Sequence, residues 1–211
     1  LFNRLLKKNS KIIYDNSILE SKLLKNISIK RKLNPITIGE KDSNLKIIKH
    51  KFIENKQEVK FIFKNNEYFF VTNLIGKIQI KNLIMAIIAA NNCGLSMKRI
   101  IKSISRIKPV KGRFEQIGNL KNNSKVILDY AHTPDALKTC LLNLRSQFKL
   151  SKISIVFGCG GNRDKTKRPM MGKIVNNLCD KIYLTDDNPR NEDPKKIRRE
   201  IKKKINKLKL F

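Results

Sequence analysis

The chain has 211 residues, 40% of them apolar, with 47 Lys and Arg against 17 Asp and Glu for a formal net charge of +30. That length suits one large or two modest domains with a packed core. No apolar run approaches the roughly 20 residues of a membrane span, no leader pattern marks the start, and Cys93, Cys140, Cys159 and Cys179 stand singly, so neither a membrane protein nor a disulfide or zinc scaffold is expected and the cytoplasm is. The charge invites a nucleic-acid partner, but the lysines are spread along the chain with abundant Asn and Ile, which share A- and T-rich codons, and aromatics do not alternate with them; no nucleic-acid partner is expected, although an anionic substrate would be drawn in.

In chain order, the start to about residue 17 reads as a helix end followed by the apolar run 11–14. Residues 36–38, 45–48, 59–63 and 68–71 then read as short strands of an antiparallel sheet, with the clearest turn at Lys64, Asn65 and Asn66. Helices are expected over 82–92 and 96–106, with Gly94 as a C-terminal cap and Ser96 as an N-cap. Residues 109–112 break the pattern, and a polar connection over 112–124 predicts a domain boundary. Cys93, Cys140 and Cys179 fall in helical patterns and are expected in the core.

From Val126 onward, each of three apolar runs ends in a polar cluster: 126–128 leads into DYAHTPD, 153–157 into GCGGNRDKTKRP, and 181–184 into TDDNPR. Apolar runs alternating with helical patterns read as parallel strands with crossover helices, and ligands bind outside the carboxyl ends of such strands. All three clusters are therefore expected in one site. A last helix over 195–210 would bury Ile197, Ile201, Ile205 and Leu208 on one face, with Asp193 as its cap and Pro194 in its first turn.

Each cluster has its own chemistry. Asp129 and His132 stand at a strand end before a helix opened by Thr133 and Pro134, a place that favours anions, although His132 is equally suited to capping or packing. Gly158, Gly160 and Gly161 permit close backbone approach to a ligand, but Arg163 stands where the last glycine of a dinucleotide fingerprint would fall, so a plain nicotinamide loop is disfavoured. Arg163, Lys165, Lys167 and Arg168 offer cations to a carboxylate or phosphate. In the third cluster Asp186 and Asp187 suit an ammonium and Arg190 a carboxylate, as an amino-acid ligand requires; an ordinary Asp-turn is the alternative.

Five segments in order, GKIQIKNLIMAI around Asn82, KGRFE around Arg113, LDYAHTPDAL, VFGCGGNRDKTKRPMMG and TDDNPRNEDP, resemble the Mur ligases, ATP-dependent enzymes that build the peptide of bacterial cell-wall precursors. The resemblance runs from about Leu1 to the end, weak before Leu74 and strong from Gly76. It implies an α/β fold: residues 1–112 as the later part of a central ATP-binding α/β domain with a small antiparallel sheet, and residues 113–211 as a Rossmann-like C-terminal domain that brings the incoming amino acid. Within the family the third amino-acid addition is nearest. The implied reactants are ATP with Mg2+, a UDP-N-acetylmuramoyl dipeptide ending in D-glutamate, and meso-diaminopimelate, and the implied enzyme is monomeric when complete. ATP would phosphorylate the γ-carboxylate, and the diaminopimelate amine would attack the acyl phosphate and release phosphate, so positioning and charge neutralisation carry the rate.

By the same resemblance Asn82 would contact adenine, Arg113, Asp129 and His132 the nucleotide, and Arg163, Asp187, Asn188, Pro189 and Arg190 the diaminopimelate. Asn162 replaces the aspartate of the commoner GGDRD, beside the binding arginine. No GxxxxGK[ST] occurs in the chain; that loop, the magnesium ligands and a modified lysine are expected before Leu1, and a closing GKGHE segment after Phe211. The expectation is a fragment inactive alone, with an open sheet edge and with Leu83, Ile84, Ile87, Ile88 and Ile100 left exposed. The alternative function is a non-catalytic module of the same fold that holds a nucleotide or amino acid.

Overall fold

The computed structural model describes residues 5–53 and 55–206, and the chain divides into Leu1–Pro109 and Val110–Phe211. In the first unit five strands, β1 (Lys11–Asp15), β2 (Asn34–Gly39), β3 (Leu45–Ile53), β4 (Lys56–Phe63) and β5 (Asn66–Thr72), form one sheet in that order. Alternation dictates it: Gln57, Val59, Phe61 and Phe63 of β4 point inward while their neighbours remain at least partly solvated. The β4–β5 hairpin turns as expected, with Lys64 (φ 50°) and Asn65 (φ 61°) both left-handed, as a two-residue turn matched to strand twist requires.

The expected all-antiparallel sheet is corrected, because β2 lies parallel to both β1 and β3. The cause is a crossover helix missing from the sequence reading, α1 (Ser21–Lys30), which returns the chain so that β2 runs alongside β1. Its Leu24 and Ile27 pack on Ile12, Tyr14 and Leu33. The signal was the three-residue spacing of those two side chains, obscured by surrounding lysines and by Asn26 and Ser28, which are weak helix formers.

Two further helices cover the sheet. Helix α2 (Lys77–Asn92) starts five residues earlier than expected, immediately after Gly76 at φ 84°, and α3 (Met97–Ser103) runs into a 3-10 turn, Ile104–Arg106. Gly94 (φ 94°) follows the α2 cap residue Cys93, and its amide bonds back to the Asn91 carbonyl. Ser96 takes the N-cap position of α3 in extended backbone, but its side chain makes no capping hydrogen bond.

The expected exposure of the helix faces is also corrected. Leu83, Ile84, Ile87, Ile88 and Ile100 are buried against Val59, Phe61, Phe63 and Phe70, so strands of this chain supply their cover. Burial at the spacing of Ile80, Leu83, Ile84, Ile87 and Ile88 is the stripe that orients α2, and each fully buried isoleucine contributes about 1.5–3 kcal/mol.

The second unit comprises β6 (Glu115–Asn119), β7 (Lys125–Leu128), α4 (Pro134–Gln147), β8 (Ser154–Phe157), α5 (Lys167–Leu178), β9 (Lys181–Leu184) and α6 (Pro194–Lys202). Strands β8 and β9 are parallel and joined through α5, the expected crossover. The run 126–128, however, pairs antiparallel with β6 in a separate two-stranded sheet, because the connection read as merely polar contains a strand and a turn reversed at Asn123 (φ 60°). Leu137, Leu141, Met171, Val175, Ile182, Ile197 and Ile201 form the core. Gly172 of α5 lies so close to the Ile201 carbonyl of α6 that a Cβ there has no room.

Helix α6 has the expected cap, with the Asp193 carboxylate accepting from the Lys195 amide at 2.9 Å and Pro194 in the first turn. It ends at Lys202, short of the expected residue 210; Ile205 is still buried, whereas Leu208 lies outside the described residues, as do residues 1–4. Cys140, Cys159 and Cys179 are buried, but Cys93 is exposed, because it sits where α2 terminates and the chain turns outward. Among the described residues no helix is long and apolar enough to cross a membrane.

Candidate functional site

The parallel register of β8 and β9 pairs Phe157 with Leu184, so GCGGNRD and TDDNPR leave the sheet at the same end. The two loops then interlock. The Gly161 amide donates to the Asn188 carbonyl at 2.9 Å, and Nη1 of Arg190 donates to the Gly161 carbonyl at 2.8 Å. A Cβ on Gly161 would overlap the Pro189 carbonyl, so glycine is required for steric reasons there. Two non-glycine residues in the left-handed region, Asn162 (φ 50°) and Arg190 (φ 49°), flank this closure. Asparagine tolerates that conformation well; arginine does so only when its surroundings hold it.

Beside the closure lies an ion cluster built on a buried arginine. Arg168, fully buried, donates through both terminal nitrogens to Glu192 at 3.0 Å each and through Nη1 to Glu200 at 2.8 Å. Glu192 also accepts from the Asn162 amide at 2.6 Å. The hydrogen bonds from Arg168, and then that amide, hold the Glu192 carboxyl far below its usual range, at about 2. The Glu192 pairing raises the Arg168 guanidinium further above its already high value. Arg168 is therefore not one of the ligand-ready cations expected from the sequence, and Lys167 is likewise occupied, donating to the His132 carbonyl at 2.9 Å. That last bond ties the first cluster to the second.

Of the expected amino-acid-binding side chains, Arg163 is exposed with no hydrogen bond or ion pair among the described residues. Asp187 and Asn188 are exposed and shape their own turn, Oδ1 of Asp187 accepting from the Asn188 amide at 2.7 Å and Oδ1 of Asn188 from the Arg190 amide at 3.1 Å. Pro189 supplies the carbonyl that accepts from the Glu192 amide at 3.0 Å. Asp186 does not stand ready for an ammonium, because it is paired with Arg198 of α6.

Asp129, at the end of β7, accepts from the amides of Phe114 at 3.0 Å and Ala131 at 2.9 Å, joining KGRFE to DYAHTPD. Phe114 is buried at φ 48°, and Glu115 closes the same turn by accepting from the Gly112 amide at 2.7 Å. The Arg113 guanidinium lies 4.9 Å from the Tyr130 ring centroid, and the Tyr130 ring, tilted by 59°, lies 4.9 Å from that of His132, so three exposed side chains form one row. Thr133 caps α4 by accepting from the Ala136 amide at 3.2 Å, with Pro134 following it.

In the first unit Asn82 is exposed on α2, behind a helix start fastened to strand ends. Lys81 pairs with Asp15 at 2.5 Å, and Lys77 with Glu40 at 2.7 Å. Burial alone would raise the Asp15 carboxyl, but Lys81 and Ser17 together hold it below its usual value. The buried Gln57 donates to the carbonyls of Leu74 at 2.5 Å and Gly76 at 3.3 Å, and accepts from the half-buried ring of His50 at 2.8 Å. None of these supports was assigned from the sequence, because they join residues up to 66 positions apart: Asp15 with Lys81 is the longest. Among the described residues no group of three or more His, Cys, Asp or Glu side chains is placed to hold a metal ion.

Comparison with known proteins adds the ancestry. Residues 1–90 match the profile of the Mur ligase middle domain, and residues 112–211 that of the Mur ligase glutamate ligase domain. The UDP-N-acetylmuramoyl-L-alanyl-D-glutamate–2,6-diaminopimelate ligase of Rickettsia felis is 42% identical over 190 residues, covering 90% of this chain and 35% of that protein. The same-named protein of Rickettsia bellii is 41% identical, covering 95% of this chain and 42% of its own length. The chain thus spans about two fifths of the curated relatives it matches. A solved structure of a ligase of that name aligns at TM-score 0.61 and 26% identity, over 93% of this chain and 41% of the other. A Mycobacterium tuberculosis folylpolyglutamate synthase complexed with ADP and AMPPCP aligns at TM-score 0.75 and 14% identity, over 95% and 44%, a likeness of fold alone.

Proposed function

We propose, from the premise that this chain belongs to the Mur ligase family, that it serves ATP-dependent amide ligation in peptidoglycan precursor synthesis, adding meso-diaminopimelate to UDP-N-acetylmuramoyl-L-alanyl-D-glutamate. The interlock of the Gly161 and Arg190 loops carries the reading. It builds, at the carboxyl ends of two parallel strands, a surface with an arginine, an exposed carboxylate at Asp187 and an amide at Asn188, the complement of an amino acid's carboxylate and ammonium.

In this reading Arg190 and Arg163 take carboxylates, Asp187 the ammonium, and Asn188 and Pro189 shape the turn. Diaminopimelate differs from lysine by a second carboxylate, and a guanidinium pairs with that group through two parallel hydrogen bonds. Arg113 and His132, in a row through Tyr130, present a cation and an imidazole to the nucleotide, with Asp129 fixing the loop that bears them. Asn82 supplies a side-chain amide to adenine from the exposed face of α2. Such groups orient reactants and neutralise charge, which is where phosphoryl transfer gains its rate. ATP supplies the phosphoryl group, and Mg2+ bound with it would neutralise its charge. Free thiols suit a cytoplasmic site of action, and the complete enzyme is read as a monomer.

A second reading is a module of the same fold that binds a nucleotide or amino acid without chemistry. One experiment separates them. The purified complete enzyme is incubated with Mg-ATP, the UDP-linked dipeptide and meso-diaminopimelate, and product mass and phosphate release are followed beside calorimetric binding. Diaminopimelate-dependent phosphate release supports the ligase, binding without turnover supports the module, and neither binding nor turnover overturns both.

A further inference from the structure

We propose that Arg168 and Glu192 are positioning residues, a buried forked ion pair that sets the conformation of the Arg190 loop and through it the affinity for an amino-dicarboxylate. The identity of that ligand rests on the function proposed above; the positioning role does not.

Three observations carry the inference. Arg168 is fully buried at the head of α5, yet both its terminal nitrogens are spent on Glu192, which lies two residues after Arg190. One oxygen of Glu192 accepts from the Asn162 amide, so the carboxylate bridges the glycine loop and the TDDNPR loop, and Nη2 of Arg168 reaches the Gly160 carbonyl at 3.4 Å. Finally, the two residues held at positive φ, Asn162 and Arg190, lie one on each bridged loop, and Arg190 is the residue least suited to that conformation.

A buried charge without its partner is costly, so the pair is expected to act as a unit. Its second acid is different in kind. Glu200 lies on α6 and touches Arg168 through Nη1 alone, and among the described residues it has no bond to either loop. If the cluster were only a core feature, removing either acid would act alike; a positioning role makes Glu192 specific for the loops.

The test compares Glu192→Gln with Glu200→Gln in the 211-residue protein. Hydrogen exchange is read at the amides of Gly161, Arg190 and Glu192 and at the helical amides of α4, and meso-diaminopimelate binding is measured by calorimetry. Glu192→Gln is expected to speed exchange at the loop amides by about tenfold or more while α4 keeps its protection, with Glu200→Gln within about threefold of the parent at the loops. Equal loop exchange in the two variants, or no change in either, overturns the proposal. Should Glu192→Gln lose its native circular dichroism, Glu192→Asp, which keeps the charge but shortens the reach, is read against the same outcomes. In the binding arm Glu192→Gln is expected to weaken meso-diaminopimelate by about tenfold with nucleotide affinity unchanged. A parent that binds no diaminopimelate, with the exchange difference present, overturns the ligand reading and leaves the positioning role supported.

Discussion

Arg190 holds Gly161 across the two loops: its Nη1 donates to that carbonyl at 2.8 Å, while the arginine's own backbone sits at φ 49°. The residue assigned to a substrate carboxylate therefore also fastens the turn that presents it. One guanidinium nitrogen is engaged by the loop, and the remaining donors are left for a ligand.

Replacing that side chain should separate the diaminopimelate reading from a general fold defect. In the complete enzyme Arg190→Ala is expected to raise the diaminopimelate KM by roughly tenfold to more than a hundredfold, because an unpaired charged partner costs about 1–3 kcal/mol or more. Steady-state kinetics with diaminopimelate and lysine in parallel check it. Equal turnover of both amino acids by the unmutated enzyme would contradict the role given to Arg190.

The glycine loop makes a steric prediction. Gly161→Ala places a Cβ against the Pro189 carbonyl, which is backbone and cannot swing aside. Overpacking of this kind costs about 1–3 kcal/mol, a few degrees in a thermal melt. Diaminopimelate binding should weaken with it. A variant that melts and binds like the parent would show that the loops do not close as described.

Acid should loosen the same region. The Glu192 carboxyl titrates at about 2 in the folded protein, lowered by Arg168 and the Asn162 amide from an ordinary value of 4.5. A depressed folded-state value means that its contribution is fully present above the unfolded value and is lost as pH falls toward the folded one. Urea unfolding of the parent should therefore weaken as pH falls from 4.5 toward 2, over the interval between those two values, and Glu192→Gln should flatten that part of the profile. Identical slopes for the two proteins would remove Glu192 from the linkage.

Thiol labelling gives a further check on the fold. Burial pushes the Cys140 thiol up to about 12, with the nearby charges of Asp129 and Cys179 acting in the same direction, and burial also raises Cys159. A buried neutral thiol is a poor nucleophile. Iodoacetamide at neutral pH should modify Cys93 first, with Cys140, Cys159 and Cys179 reacting only after denaturation, as peptide mass mapping would show. Fast modification of Cys140 in the native protein would contradict its placement on the buried face of α4.

Local chemistry was legible in the sequence where neighbours in the chain are neighbours in space. Lys64 and Asn65 turn a hairpin, Thr133 and Asp193 cap helices followed by proline, and Ile80 to Ile88 repeats at helical spacing, each fixed by a few adjacent residues. The motifs DYAHTPD, GCGGNRD and TDDNPR likewise announced polar loops at strand ends, because an apolar run followed by glycine, proline and acids has few other uses.

What the tertiary structure decided is which of those polar groups are spent on one another. Arg163, Lys165, Lys167 and Arg168 read alike as cations, yet only Arg163 is left exposed and unpaired among the described residues, whereas Lys165 pairs with Glu192, Lys167 is tied to His132 and Arg168 is buried between Glu192 and Glu200. Strand direction was decided in the same way. The backbone pairs β7 with β6 and β2 with β1, through segments whose polar composition concealed a strand and a helix. Sequence determines what a residue is able to bond. Only the fold determines which bond it makes, because burial penalises every unpaired charge and the partners that relieve it are brought together from far apart in the chain.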